Sequence, residues 1–220
     1  MNEIDYKIIR SGRRTVAIVI EGDGAVTVRA PDRMPARDIA AFVEQKRQWI
    51  TKKRSEIGRE RDALRPIILA DGKKLPYLGG ELTFQFDSVP AVRREGGTLL
   101  LPTGADLPDV RAWLRSEARR VFQERVPLWE ARMDVRAAAV KASDARSRWG
   151  SCSGKNSVNL SWRLVLCPME VVDYVIVHEL SHIAHHDHSP AFWALVERTY
   201  PLYREAQAYL KQRRALMDVI

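Results

Sequence analysis

Hydrophobic and polar residues alternate along the start of the chain and predict a β-hairpin. The alternation runs over residues 4–20, ends in the apolar run TVAIVI and resumes in AVTVRA after the segment EGDG. A period of two residues is typical of strands with one buried face, and Gly and Asp between two such runs favour a turn. Pro31 and Pro35 end this pattern.

A helical pattern replaces the alternation over residues 36–62, and Pro66 closes this first segment. Acidic and basic residues alternate within residues 44–62, as they do on an exposed helix surface. The apolar positions recur at the three- and four-residue spacing that places them on one helix face. They are Ile39, Phe42, Val43, Trp49 and Ile50.

Short strands are predicted again over residues 67–101, where glycine-containing turn signals separate apolar runs. Residues 106–133 then follow the spacing of a long helix, which Pro127 is expected to bend or break. The turn signals of the strand region are Asp71-Gly72, Gly79-Gly80 and Gly96-Gly97.

The last part of the chain combines two predicted strands with three predicted helices. Because strands and helices are grouped rather than regularly alternating, the order favours an α+β fold over a doubly wound sheet. We expect a β-rich N-terminal unit with one helix over 1–105 and a second domain over 106–220. The predicted elements of its last part are a strand over 134–144, a polar glycine-rich loop over 145–157, a strand over 158–166 and helices over 169–186, 190–199 and 202–216.

Charge and composition limit the class of protein. The net charge is +8, from 36 Lys and Arg against 28 Asp and Glu. This excess indicates either a nucleic-acid partner or an ordinary exposed surface, and the mixed charges of residues 44–62 favour the surface. No apolar run approaches the roughly 18 residues of a membrane span, and MNEIDYK is unlike a signal peptide. Since Cys152 and Cys167 make no disulfide framework, we expect a cytoplasmic protein without a membrane partner.

All five histidines lie in one segment, 177-VHELSHIAHHDHSPAFW-193. His178, Glu179 and His182 form the pattern His-Glu-x-x-His. On a helix, residues four apart lie on one face, so both imidazoles can bind one metal ion. Glu179 lies beside that face, where its carboxylate can reach a water molecule rather than the metal. This spacing predicts a metal site with Glu179 as the general base.

The remaining three histidines compete for the role of third ligand. His186 lies eight residues, or two helical turns of about 12 Å, beyond the first motif histidine, too far for one ion. His185 lies three residues beyond the second motif histidine, and its binding would strain a straight helix. His188 directly precedes Ser189-Pro190, a helix-start signal, so a turn can return it to the metal. We predict His188 as the third ligand.

Three imidazoles with one open coordination position favour Zn²⁺, although Mn, Fe or Ni can occupy such a site. The alternative without a metal treats the histidines as structural residues. The chemistry predicted for a zinc site is hydrolysis at a carbonyl group, since zinc activates water and polarises the carbonyl.

Three sequence blocks resemble the YgjP-like predicted metal-dependent hydrolases, which are related to the SprT-like zinc metallopeptidases. The blocks are 148-RWGSCS-153, 159-NLSWRLVLCP-168 and 178-HELSHIAHHDHSPAFW-193. The resemblance implies a zincin-like metallopeptidase fold, with residues 106–220 as the catalytic domain. It also implies that the histidine of the step Asp187-His188-Ser189 is the third ligand.

The leading hypothesis is a zinc-dependent metallopeptidase that acts on protein or peptide substrates. The strand over 158–166 is a candidate edge for pairing with an extended substrate. Arg148, Tyr174 and Tyr203 are candidates for stabilising the oxyanion, and Cys152 is expected to be a buried free thiol. Two alternatives remain: a protease that acts on proteins bound or crosslinked to DNA, and a metal-binding protein without turnover. The sequence does not indicate an oligomeric state.

Overall fold

A computed structural model describes residues 4–21, 23–63, 67–218 and 220. Contacts between residues divide the chain into two compact units, Met1–Arg65 and Pro66–Ile220. The strands between Lys74 and Pro102 group with the C-terminal unit, where, for example, the Leu78 N–H donates to the Val165 carbonyl. This division differs from the sequence prediction, which places a domain boundary after residue 105. The start of the catalytic domain after residue 105 remains a proposal.

The first unit contains a three-stranded sheet. Its strands are β1 (Lys7–Ser11), β2 (Ala17–Ile20) and β3 (Val26–Pro31), in the order β1-β3-β2. β3 runs parallel to β1 and antiparallel to β2. The predicted hairpin is confirmed for β2 and β3, whose turn is closed by the Glu21 N–H donating to the Ala25 carbonyl at 2.9 Å.

Two helices follow, α1 (Ala36–Gln45) and α2 (Arg47–Ala63), so the prediction of one continuous helix over 36–62 is wrong. The helix breaks at Lys46, whose N–H is shared between the carbonyls of Phe42 and Val43. Trp49, predicted on the apolar face, is 47% exposed, whereas Ile50 beside it is fully buried. The core of the unit is formed by Ile4, Val26, Val28, Ala30, Ile39, Val43 and Ile50.

The second unit begins with a four-stranded sheet that matches the predicted strand region. Its turns at Gly72, Gly79 and Gly96 all have positive φ angles, of 74°, 89° and 58°, which glycine adopts without steric cost. The order β4-β5-β7-β6 makes β5 and β7 parallel and the other pairs antiparallel. The strands are β4 (Lys74–Tyr77), β5 (Gly80–Asp87), β6 (Arg93–Glu95) and β7 (Thr98–Pro102).

The long helix α3 (Leu107–Met133) agrees with the prediction and continues through Pro127 without a break. Asp106 caps its first turn, because the Asp106 carboxylate accepts from the Asp109 N–H while the Asp109 carboxylate accepts from the Asp106 N–H. Asp134 ends the helix in the left-handed conformation, with φ of 52°.

A second small sheet and three helices complete the unit. The strand predicted over 158–166 is a strand only in its first half, and Trp162–Leu166 is a 3-10 helix. All residues of this 3-10 helix are buried. Its sequence therefore shows no alternation of apolar and polar residues that would distinguish a strand from a helix. The loop over 145–157 contains a short strand, which sequence analysis missed. The elements are β8 (Ala139–Ser143), β9 (Gly150–Cys152), β10 (Ser157–Ser161), α4 (Met169–Ala184), α5 (Pro190–Thr199) and α6 (Tyr203–Gln212).

The strand order β8-β10-β9 places β10 in the centre of this sheet, with a neighbour on each side. The segment over 158–166 is therefore not an edge strand, and its predicted pairing with substrate is wrong. β9 and β8 form the two edges. Within the described residues, no helix is both long and apolar enough to cross a membrane.

A buried ion pair joins α3 to α4. The Asp173 carboxylate of α4 accepts from Arg125 Nε at 2.8 Å, from a second Arg125 nitrogen at 2.5 Å and from Trp129 Nε1 at 2.9 Å. Only 7% of Asp173 is exposed, so these three hydrogen bonds satisfy a carboxylate that is largely shielded from water. This contact fixes the helix that carries the His-Glu-x-x-His pattern.

We expect Asp173→Ala to lower the free energy of unfolding by about 2–3 kcal/mol, because it leaves Arg125 and Trp129 without a partner. Urea denaturation of the variant and the wild type measures this loss. Glu170→Ala, an exposed change in the same helix, is the control and should cost much less. A loss no larger than that of the control would show that the ion pair does not stabilise the α3–α4 contact.

Candidate metal centre

Helix α4 places His178 and His182 on one face, with their ring centroids 5.2 Å apart. The residues before them are almost all buried, as the apolar run VVDYVIV predicts. The helix ends at Ala184, two residues earlier than predicted, and His185 has extended backbone angles. His185 and His186 therefore lie beyond the helix that carries the pattern.

His188 is returned to α4 by the turn that precedes α5. Ser189 is the N-cap of α5, and its hydroxyl oxygen accepts from the Phe192 N–H at 3.4 Å. The Ser189 N–H donates in turn to the Asp187 carboxylate at 3.1 Å. As a result, His188 Nε2 lies 3.2 Å from His178 Nε2.

One ring nitrogen from each of His178, His182 and His188 lies within 4.8 Å of the others. We call these residues the three-histidine cluster; His185 and His186 are not members of it. Zinc–nitrogen bonds of about 2.0–2.1 Å in a tetrahedral site place ligand nitrogens roughly 3.4 Å apart. The cluster therefore offers three imidazole nitrogens close to the spacing that one such ion requires.

Neighbouring groups orient two of the rings. The carbonyl oxygen of His185 can only accept, so His182 Nδ1, 3.0 Å away, carries the proton and leaves Nε2 free to bind a metal. His178 Nδ1 lies 3.4 Å from the Tyr174 hydroxyl. Burial, together with the neighbouring His182 and His188, lowers the pKa of His178 to about 3. This imidazole is therefore neutral at physiological pH, the form that binds metals.

Two aromatic side chains of α5 hold the cluster in place. The fully buried Phe192 contacts all three imidazoles, with ring-centroid distances between 4.5 and 5.0 Å. Trp193 stacks on the exposed ring of His188 at 5.7 Å and on Tyr203 at 5.8 Å. Phe192 is not among the site residues predicted from the sequence, although the helix start at Ser189-Pro190 places it in the first turn beside the cluster.

Glu179 lies directly on the backbone of β9. Its side chain is buried, and a Cβ atom at Gly150 would lie 2.5 Å from Glu179 Oε1 and 2.7 Å from Cγ. Burial raises the pKa of Glu179 to about 7, while the charge of Arg148 and the backbone N–H of Cys152 act in the opposite direction. Because Gly150 has no side chain, the Glu179 carboxylate can pack against the backbone of β9. This contact is not predicted from the sequence.

The open edge of β9 faces this carboxylate. The Trp149 carbonyl accepts from the Ser161 N–H at 2.8 Å, and the Ser153 N–H donates to the Ser157 carbonyl at 3.0 Å, both across the β9–β10 pair. Backbone groups alternate in direction along a strand. Gly150 and Cys152 lie between Trp149 and Ser153, so their backbone N–H and C=O groups point to the open edge.

The other side chains proposed from the sequence have different surroundings. Arg148 is exposed and acts on Glu179 through its charge. Tyr174 is buried beside His178, and the Tyr203 hydroxyl accepts from Arg204 Nε at 3.0 Å. Cys152 is half-buried and outside the three-histidine cluster; burial, followed by Glu179, raises the pKa of its thiol.

Together, the mixed α+β fold and the His-Glu-x-x-His helix define a metallopeptidase domain. A family model described as YgjP-like, metallopeptidase domain, matches residues 14–213, so the chain belongs to the YgjP-like metallopeptidase family. This confirms the resemblance found in the three sequence blocks. Membership implies a hydrolase that uses a metal ion and acts on protein substrates. Comparisons with curated proteins and with solved structures gave no match.

Proposed function

We propose that the chain is a zinc-dependent peptidase, with His178, His182 and His188 as metal ligands and Glu179 as general base. The observation that carries this proposal is the convergence of three imidazole nitrogens within 4.8 Å beside a helix that also presents the buried Glu179. The family assignment supports the class of reaction.

The donor set supports zinc over the hard cations. Ca²⁺ and Mg²⁺ prefer oxygen ligands, whereas imidazole suits zinc and its transition-metal neighbours. In the described part of the chain, no carboxylate or thiolate joins the three-histidine cluster as a further ligand. Zinc bound by three imidazoles supplies an open coordination position, polarises a carbonyl and lowers the pKa of bound water to about 7.

Glu179 supplies the proton transfers. Its carboxylate takes a proton from the attacking water and later donates it to the leaving amine. A raised pKa near 7 suits both steps, because the same group must accept and release a proton near neutral pH. Burial against β9 fixes the direction of the carboxylate.

β9, rather than β10, is the proposed edge for an extended substrate backbone. The Cys152 N–H is already bonded to Glu179. The outward groups of Gly150 and the Cys152 carbonyl can pair with the substrate and bring its scissile bond beside Glu179. Among the oxyanion candidates, Arg148 is favoured, since it is exposed near Glu179. Tyr174 lies against His178 instead, and Tyr203 is buried under Trp193.

Cleavage of casein and of a peptide library by zinc-loaded protein tests this proposal. We expect hydrolysis that a chelator abolishes and that added zinc restores, since the ion is required for the attack on the carbonyl. Zinc binding without cleavage of any peptide would favour the alternative of a metal-binding protein without turnover. Cleavage that requires added DNA would favour the DNA-associated protease.

A further inference from the structure

A groove of about 590 Å³ lies between α3 and β8, and none of its lining residues belongs to the three-histidine cluster. Its floor is apolar, and its rim is basic. Phe122 and Val126 of α3 are buried beneath it, whereas Val140 of β8 is 38% exposed. This volume lies within the range of about 300–1,000 Å³ that is usual for binding clefts.

β8 contributes an open strand edge to this groove. It pairs with β10 on one side, and no other described strand pairs with it. The Ala138 N–H donates to the Asn156 carbonyl at 2.9 Å, toward β10. Because backbone groups alternate in direction, those of Ala139 and Lys141 point to the open edge. Unpaired N–H and C=O groups of this kind are a template for another strand.

The rim carries positive charge that its neighbours leave unneutralised. Arg119, Arg136 and Lys141 are exposed, and within the described residues their side chains form no ion pair or hydrogen bond. The lining also holds one carboxylate, Glu130, which accepts from the Ala137 N–H at 2.8 Å, so the three cations outnumber it. A partner that brings carboxylates to this groove therefore meets complementary charge.

We propose that the groove binds an extended, acidic polypeptide segment, which adds as a strand to the open edge of β8. Backbone hydrogen bonds to Ala139 and Lys141 would hold the segment, its apolar side chains would cover the floor, and its carboxylates would face the rim. Pairing of β8 with the β8 edge of a second copy of the chain is disfavoured, because it would place the rim cations of the two copies against each other. A nucleic acid would use those cations but neither the strand edge nor the apolar floor.

A binding experiment tests the proposal with a fluorescein-labelled peptide that alternates glutamate and valine. Fluorescence anisotropy is measured at low ionic strength with the full chain carrying Glu179→Gln. This background keeps the peptide intact, so the result does not depend on whether the proposed peptidase function is correct. The matched probe alternates lysine and valine and should not bind. An unlabelled single-stranded DNA oligonucleotide serves as competitor.

Two kinds of variant separate charge from strand pairing. Arg136→Glu with Lys141→Glu should weaken binding by about tenfold or more, because it reverses the rim charge. Ala139→Pro should also weaken it by about tenfold, since it removes an outward N–H without changing charge, at an edge position where proline is tolerated. Ala139→Val keeps the N–H and should bind like the parent. Thermal melting checks that each variant is folded.

The proposal is supported if the acidic peptide binds and both kinds of variant weaken it. It is overturned if the acidic peptide does not bind, or if Ala139→Pro binds it as well as Ala139→Val does. It is equally overturned if DNA displaces the peptide and itself binds Ala139→Pro without loss, because the groove would then be a nucleic-acid surface.

Discussion

Glu179→Gln is expected to reduce kcat for peptide hydrolysis by about 10²–10⁴-fold, because the amide cannot accept the proton of the attacking water. Glutamine has the same shape, so it should fit against Gly150 without displacing β9. Metal content should therefore stay equal to that of the wild type, since none of the three proposed ligands is changed. Steady-state kinetics and elemental analysis of the same preparation measure both quantities.

Glu170→Gln is the matched control, because Glu170 lies exposed in the first turn of the same helix. It should leave hydrolysis unchanged. The assignment of Glu179 as base would be contradicted by a variant that keeps its metal and hydrolyses peptides at the wild-type rate. A loss of both metal and activity would instead indicate that Glu179 maintains the structure of the centre.

Gly150→Ala is expected to reduce kcat by about 10²-fold, because a methyl group at this position must displace the Glu179 carboxylate. The contact involves Cγ, at 2.7 Å, as well as the end of the side chain, so a small rotation of the carboxylate does not relieve it. KM should change much less than kcat, and the metal should remain bound, since the displaced group is not a proposed ligand.

The control is Gly154→Ala in the same loop, where an added Cβ meets no atom within 4 Å. A double-mutant cycle on the free energy of unfolding adds a readout that is independent of catalysis. If Gly150→Ala acts through Glu179, it should cost less stability in a Glu179→Ala background than in the wild type. Equal costs in both backgrounds, or full activity of Gly150→Ala, would contradict this role for Gly150.

The residues of the proposed metal site could be predicted because local chemistry specifies them. His178 and His182 follow from the four-residue repeat of a helix, and Glu179 from its place beside that face. His188 follows from the helix-start signal at Ser189, whose N-cap hydrogen bond is present in the structure. Each of these arguments needs only neighbours a few residues apart in the sequence.

The surroundings of Glu179 could not be predicted in this way. β9 has three residues within a polar loop, too few to show an alternating pattern, and its contact with α4 joins residues far apart in sequence. The same limit explains why the sequence predicts an edge strand over 158–166, because pairing on both sides of β10 depends on β8 and β9. The break at Lys46 likewise lies within an uninterrupted helical pattern of side chains.

The central claim is that the three-histidine cluster binds one metal ion, and metal content by elemental analysis tests it most directly. We expect about one zinc per chain in the wild type, because the cluster offers three imidazole nitrogens to one ion. His188→Ala should lose this zinc, whereas His186→Ala, which changes a histidine outside the cluster, should keep it. A wild-type protein that holds no metal after zinc is supplied, or a His188→Ala variant that binds zinc as well as the wild type, would contradict the account.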